Sequence, residues 1–127
     1  MSNDKRYLGL DRIEAYMISF KLSNYVWEIV MRWDKFAQWT VGKQYVTAID
    51  SISANIAEGF GRYHKKDKIK FYRYSTGSLQ ESLDWTRKAI IRKLITKEEK
   101  EYITTELQKL PKSINILIKY TNDKLKI

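Results

Sequence analysis

Ser51-Ile52-Ser53-Ala54-Asn55-Ile56-Ala57-Glu58-Gly59-Phe60-Gly61-Arg62 is the stretch whose reading decides the fold of this chain. Tyr45, Ile49, Ile52 and Ile56 stand three or four residues apart, the spacing of one helix face, in a helix from about Gly42 to Glu58. Thr47, Ser51, Ala54 and Glu58 share the opposite side, which is small and barely charged and suits close approach by another helix. Gly59 is expected to stop the helix, because a residue just past a helix end commonly adopts positive φ. Gly61 keeps the corner loose enough to turn the chain back. Glu58 falls in the last turn, where the helix dipole disfavours a negative charge, so a cation partner is expected, Arg62 or Arg73. Asn55, one turn earlier, is placed to hydrogen-bond the corner's backbone. Asn55, Glu58, Gly59 and Gly61 together read as a structural corner.

The charge balance changes just after this corner. Residues 1–61 carry seven Lys/Arg and seven Asp/Glu, residues 62–93 carry ten against three, and residues 94–127 carry seven against five. Nearly all of the net +9 therefore begins at Arg62. A strongly basic segment favours acidic partners, nucleic acid first and membrane surfaces second. The chain's 127 residues suit one domain with one core. The absence of cysteine excludes disulfides, thiolate zinc sites and cysteine nucleophiles. The N-terminus lacks the apolar core of a signal peptide, and no apolar run approaches the ~20 residues of a membrane span. A soluble cytoplasmic protein with no membrane association is expected.

Outward from the corner, every segment has helical periodicity. Residues 1–10 are polar and expected to be mobile. Asp11 and Glu14 have capping-box spacing, and Ile13, Tyr16, Met17, Phe20, Trp27, Val30 and Trp33 trace one apolar face of a first helix. Residues 34–41 break that pattern and read as a packed connection, with Trp33, Phe36 and Trp39 close together. The third helix is expected from His64 or Lys65 to about Ile95, with Ile69, Tyr72, Thr76, Leu79, Leu83, Thr86, Ile90 and Leu94 as its seam. Phe71, Tyr74, Ser78 and Trp85 form a second stripe roughly 135° away at 100° per residue. A helix apolar on two faces needs two partners, so this stripe, with Gly77, is the candidate oligomer interface. Thr96-Lys97-Glu98-Glu99 is a capping box opening a fourth helix, through Ile103, Leu107, Leu110, Ile114, Leu117, Ile118 and Thr121. Pro111 lies inside it and predicts a kink. The fold expected is all-α, an up-down-up-down four-helix bundle with short connections.

The candidate nucleic-acid-binding residues are Arg62, Lys65, Lys66, Lys70, Arg73, Lys88 and Arg92. Lys66, Lys70, Arg73, Lys88 and Arg92 share the side of the third helix away from its seam, which Glu81 and Asp84 interrupt. The plain reading is a solvated, salt-bridged surface; against it stands the charge balance of the other segments. Tyr63, Tyr74 and Trp85 lie near these bases and could stack on nucleobases or form an interface. His64 is the one histidine, with no second ligand for zinc and no local arrangement that makes it a general base. No catalytic residue, metal or cofactor is expected.

The Ser51–Gly59 block, followed by Gly61-Arg62 and then by Phe71…Gly77-Ser78-Leu79…Glu81, resembles the four-helix-bundle family of 23S rRNA intervening-sequence proteins. That family includes the accessory variability determinants of diversity-generating retroelements. The resemblance spans essentially the whole chain, with its specific motifs confined to residues 44–81. It implies ring-like homo-oligomers, typically pentamers, without enzymatic activity. In the retroelement members it implies binding to the reverse transcriptase and to nucleic acid through basic surface. The chain departs from the pattern at Val46 and Thr47, where two bases are common, and at His64, where Ser or Thr is common. The first departure removes positive charge from the second helix; the second alters a cap.

Three functions follow as expectations. The first is a non-catalytic, oligomeric, basic bundle binding RNA or DNA by phosphate contacts, as an accessory to a reverse transcriptase or to ribosomal RNA. The second is an interaction module docking an acidic protein without nucleic acid. The third, a metal-dependent nuclease using Glu58, lacks the several carboxylates such a site needs.

Overall fold

The computed structural model describes residues 9–126, and all regular structure in that range is helical. Five α-helices are delimited: α1 (Glu14–Val30), the three-residue α2 (Lys35–Ala37), α3 (Lys43–Gly61), α4 (Lys65–Ile91) and α5 (Lys97–Lys124). A π-helical turn, Gln38–Gly42, joins α2 to α3. The four-helix expectation is therefore corrected to five. The extra helix comes from the aromatic connection, which winds into helical turns because Asp34 accepts from the Ala37 N–H at 3.0 Å and caps it. α1 packs on α3, α3 on α4, α4 on α5 and α5 on α1, so α1 and α4 stand on a diagonal. One apolar core runs through all four long helices, including Leu22, Val26, Tyr45, Ile49, Ile52, Ile56, Tyr72, Leu79, Ile103, Leu107, Leu110 and Ile114.

The start of α1 differs from expectation. Residues 9–11 are already helical, Arg12 turns, and Ile13 is the N-cap without a side-chain cap bond, so Asp11 and Glu14 form no capping box. The mobility expected of residues 1–10 falls, for residues 1–8, outside the described residues.

The buried face of α1 also differs: Ala15, Ser19, Leu22, Ser23, Val26, Ile29 and Val30 face inward, while Phe20 and Trp27 are exposed. Serine can occupy this seam because its hydroxyl proton stays within the helix. Ser19 donates to the Ala15 carbonyl at 2.7 Å and Ser23 to the Phe20 carbonyl at 2.8 Å. Small side chains then let α3 and α5 approach, which rings at those positions would prevent.

In α3 the expected face is the observed one, with Tyr45, Ile49, Ile52 and Ile56 fully buried. Its ends differ. Gly42 lies buried inside the helical run, where an added Cβ would stand 2.8 Å from Val30 Cγ1. Beside it the Trp33 indole N–H is buried without a partner.

α4 ends at Ile91, about four residues early, in a left-handed cap: Lys93 has φ 58°, its N–H donates to the Ile90 carbonyl and the Leu94 N–H to the Ala89 carbonyl. The seam of α4 is Tyr72, Ser75, Leu79, Ser82, Thr86 and Ala89.

At α5 the capping box forms as read, with the Glu99 N–H to Thr96 Oγ1 at 3.1 Å and the Thr96 N–H to Glu99 Oε1 at 2.9 Å. Glu99 also pairs with Arg32 at 3.0 Å, tying the end of α1 to the start of α5. Pro111 lies within α5, which continues as one helix on both sides of it.

Candidate nucleic-acid interface

The ten bases of residues 62–93 separate into anchored and open groups. Lys68, half-buried, donates to the Phe60 carbonyl at 2.7 Å and lies 3.4 Å from that of Gly59, so it caps the C-terminal end of α3. Burial lowers its pKa below the usual lysine value. Lys65 does the same for α5, donating to the Asn122 carbonyl at 3.1 Å. Arg62 pairs with Glu58 at 2.8 Å and lays its guanidinium over the Phe71 ring, 4.6 Å from the centroid. Lys88 pairs with Asp84 at 2.7 Å and sits 4.4 Å from the centre of the Trp85 ring.

Lys66, Lys70 and Arg73 are exposed and hold no ion pair among the described residues. At 100° per residue they cluster roughly 170° from the buried seam of α4, facing directly outward, over about 10 Å of helix. With Asp67, Ile69 and the exposed Tyr74 they line a shallow depression of about 510 Å³. Arg92 follows roughly 28 Å further along, at the end of the helix, beyond Glu81 and Asp84. Of the seven candidate contacts, the structure thus brings three together, places Arg92 apart, and engages Arg62, Lys65 and Lys88 within the chain. The exposed Arg87 and Lys93 were not singled out from sequence. Nothing in a lysine-rich run shows that Lys68 is the lysine that faces the preceding helix end.

The corner is built differently from the sequence reading. Gly59 does not stop α3, which continues to Gly61, and among the described residues no glycine has positive φ. Gly59 is instead a contact: an added Cβ would stand 2.7 Å from Tyr72 Cε1 and 2.9 Å from the Lys68 carbonyl oxygen. Glycine there lets α4 fold back against α3. Asn55 donates to the Ser51 carbonyl within its own helix at 2.9 Å and does not reach the corner. Gly61 has open space around it. His64 is the N-cap of α4 with no side-chain cap bond, and the exposed Tyr63 meets its ring edge-on at 5.0 Å.

Of the second stripe of α4, Phe71, Ser78 and Trp85 are half-buried and Tyr74 is exposed, edge-on to Phe71 at 5.4 Å. Among the described residues no atom lies within 4 Å of a Cβ added at Gly77, so no close approach among them explains it. Among the described residues no group of three or more acidic or histidine side chains is arranged to hold a metal ion, and no helix is long and apolar enough to cross a membrane.

No curated protein matches the chain. The family model described as 23S rRNA-intervening sequence protein matches residues 11–116, which include α1 to α4, the Ser51–Arg62 corner and the basic stripe. On that match the chain belongs to the 23S rRNA-intervening sequence protein family.

Proposed function

We propose that this protein is a non-catalytic nucleic-acid-binding bundle that uses the outer face of α4. The observation that carries the reading is the stripe of Lys66, Lys70 and Arg73: three exposed cations that hold no ion pair among the described residues, aimed away from the core, in a chain whose first 61 residues are neutral. Three charges within about 10 Å suit a polyanion's backbone, and Tyr74 beside them offers a stacking surface. The same proposal includes an up-down-up-down course for the long helices, self-association, and attachment to a larger partner such as ribosomal RNA or a reverse transcriptase. The short connections and the ring of neighbouring helices support that course.

The test is fluorescence anisotropy with mixed-sequence RNA and DNA over a salt series. Phosphate-led binding weakens as salt rises, and Lys66→Glu with Lys70→Glu and Arg73→Glu reduces the logarithmic salt slope by about 2 to 3. Undetectable binding at low salt, or a slope unmoved by the triple variant, overturns the proposal.

A second reading has its own observation. Glu81 and Asp84 interrupt the stripe and Asp84 already holds Lys88, a mixed pattern that suits an acidic protein surface better than a long polyphosphate. Recovery of one acidic protein partner free of nucleic acid would favour it.

A further inference from the structure

A cleft of about 510 Å³ opens at the end of the bundle where the chain enters α1. Ile13 before α1, Phe60 of α3, and Ile116, Leu117 and Tyr120 of α5 supply its apolar walls. Gly9 packs on the Phe60 ring so closely that an added Cβ would stand 3.1 Å from its Cζ, which confines that ring. The volume falls within the roughly 300–1,000 Å³ of small-molecule sites.

Two polar groups of the wall are incompletely used by the fold. Tyr72 is 2 % exposed, with Cδ1 and Cε1 of its ring against Gly59, and it lines the cleft. Its hydroxyl has no hydrogen-bond partner among the described residues, whereas the equally buried Tyr45 holds Thr86 at 2.7 Å. A buried tyrosine hydroxyl usually finds a partner, so this one points to a ligand. Glu14 accepts a hydrogen bond from the Ser113 hydroxyl at one carboxylate oxygen, 2.9 Å away, and its other oxygen has no partner among the described residues. Glu14 holds no ion pair among them either: Arg12, on the same wall, does not reach it, and Lys109 of α5 is taken by Glu106 at 2.7 Å.

We propose that this cleft binds an amphipathic organic amine, its protonated nitrogen at Glu14 and Tyr72 and its apolar body against Phe60 and Leu117. Charge decides the class. A carboxylate held in place by a serine hydroxyl favours a cation, and a wall containing the rings of Phe60, Tyr72 and Tyr120 suits one as well. The ammonium donates, and a phenol oxygen accepts, so the same nitrogen supplies the partner that Tyr72 lacks. A purely apolar ligand would leave both groups unpaired in a desolvated site, and an anion would meet Glu14. Arg12 leaves two sources for the amine: a simple alkyl or aryl amine, or an amino acid whose carboxylate Arg12 takes. The site is separate from the outer face of α4, since Tyr72 belongs to the buried seam of that helix.

NMR titration of the backbone amides of the full chain with 2-phenylethylamine, 3-phenylpropionate and L-phenylalanine tests it. The amine is expected to give saturable shifts at Ile13, Phe60, Tyr72 and Leu117, and to bind at least about tenfold more tightly than 3-phenylpropionate. Glu14→Gln, which still accepts from Ser113, is expected to weaken the amine about tenfold or more, and Tyr72→Phe, which removes one oxygen, about three- to tenfold. Tyr72→Phe carries the test alone should Glu14→Gln misfold. The amine is also expected to raise the Tm of the wild-type chain by mass action, and to raise it less in either variant. L-phenylalanine binding more tightly than the amine assigns amino acids as the source, and weaker binding assigns simple amines. Absence of saturable shifts in the millimolar range, equal or tighter binding of 3-phenylpropionate, or an amine affinity that neither variant changes overturns the proposal.

Discussion

Alanine at Gly59 and alanine at Gly77 are expected to move stability in opposite directions, although both glycines lie within helices. Helix propensity alone favours alanine by about 1 kcal/mol at either position. At Gly77 nothing opposes that gain, because an added Cβ meets open space. At Gly59 the Cβ would stand 2.7 and 2.9 Å from two atoms of the Tyr72 ring and 2.9 Å from the Lys68 carbonyl oxygen, against ordinary carbon contacts of about 3.5–4.0 Å. The ring is buried and cannot swing into solvent, and the carbonyl belongs to α4 itself. Relief therefore requires moving α4 away from α3, an overpacking cost of about 1–3 kcal/mol that outweighs the propensity gain. The expected outcome in equilibrium urea unfolding is a midpoint lower by about 0.5 M, and by no more than about 1 M, for Gly59→Ala and higher by about 0.5 M for Gly77→Ala. If Gly59→Ala stabilises the protein as Gly77→Ala does, the close approach of α3 and α4 is wrong. If Gly77→Ala loses its gain only at high protein concentration, Gly77 lies against a neighbouring copy, as expected of the α4 stripe as an oligomer interface.

Lys93 holds a left-handed conformation that glycine adopts without strain, so Lys93→Gly is expected to raise stability by about 0.5–1 kcal/mol, read as a rise of a few degrees in Tm. The buried Tyr45–Thr86 pair, 2.7 Å apart, predicts an asymmetry. Thr86 gives its proton to the Ser82 carbonyl at 2.7 Å, so the Tyr45 hydroxyl is the donor between them. Tyr45→Phe is expected to cost about 1 kcal/mol, and Thr86→Val, which strands a buried donor, about 1–3 kcal/mol in the same urea assay. Burial pushes the Tyr45 and Tyr72 hydroxyls up from their usual value near 10 to about 12. The unfolded chain therefore releases these protons first, and the stability they contribute is whole below pH 10 and lost between about 10 and 12. Tyr45 alone accounts for about 2–3 kcal/mol of that loss, and a midpoint in urea that does not fall across this range would refute the burial of both rings.

The helices themselves were legible because their signals are local. The Thr96–Glu99 box, the alternation of Tyr45, Ile49, Ile52 and Ile56, and the apolar run of α5 each reside within a few turns of one helix. The basic stripe was legible for the same reason, since charge and helical angle place Lys66, Lys70 and Arg73 on one side without knowledge of any neighbour. Which bases of that segment stay open was not legible. Lys65 and Lys68 are occupied by carbonyls at the ends of α5 and α3, and such encounters leave no mark in a lysine-rich run, whereas the Glu58–Arg62 pair, four residues apart, was among the partners the sequence offered.

By itself the sequence determined that this protein is all-α, where its long helices lie, and that its charge gathers on one of them, because backbone propensity, capping and periodicity act over a few residues. Tertiary structure alone decided which side of α1 faces inward and what the corner glycines do. A serine that returns its proton to its own helix can be buried at little cost, so Ser19 and Ser23 took the seam and left Phe20 and Trp27 outside. The stretch Ser51 to Arg62 shows the same division. Its face of isoleucines could be read directly, but Gly59 is glycine because of Tyr72 on the next helix, a distance no local pattern contains.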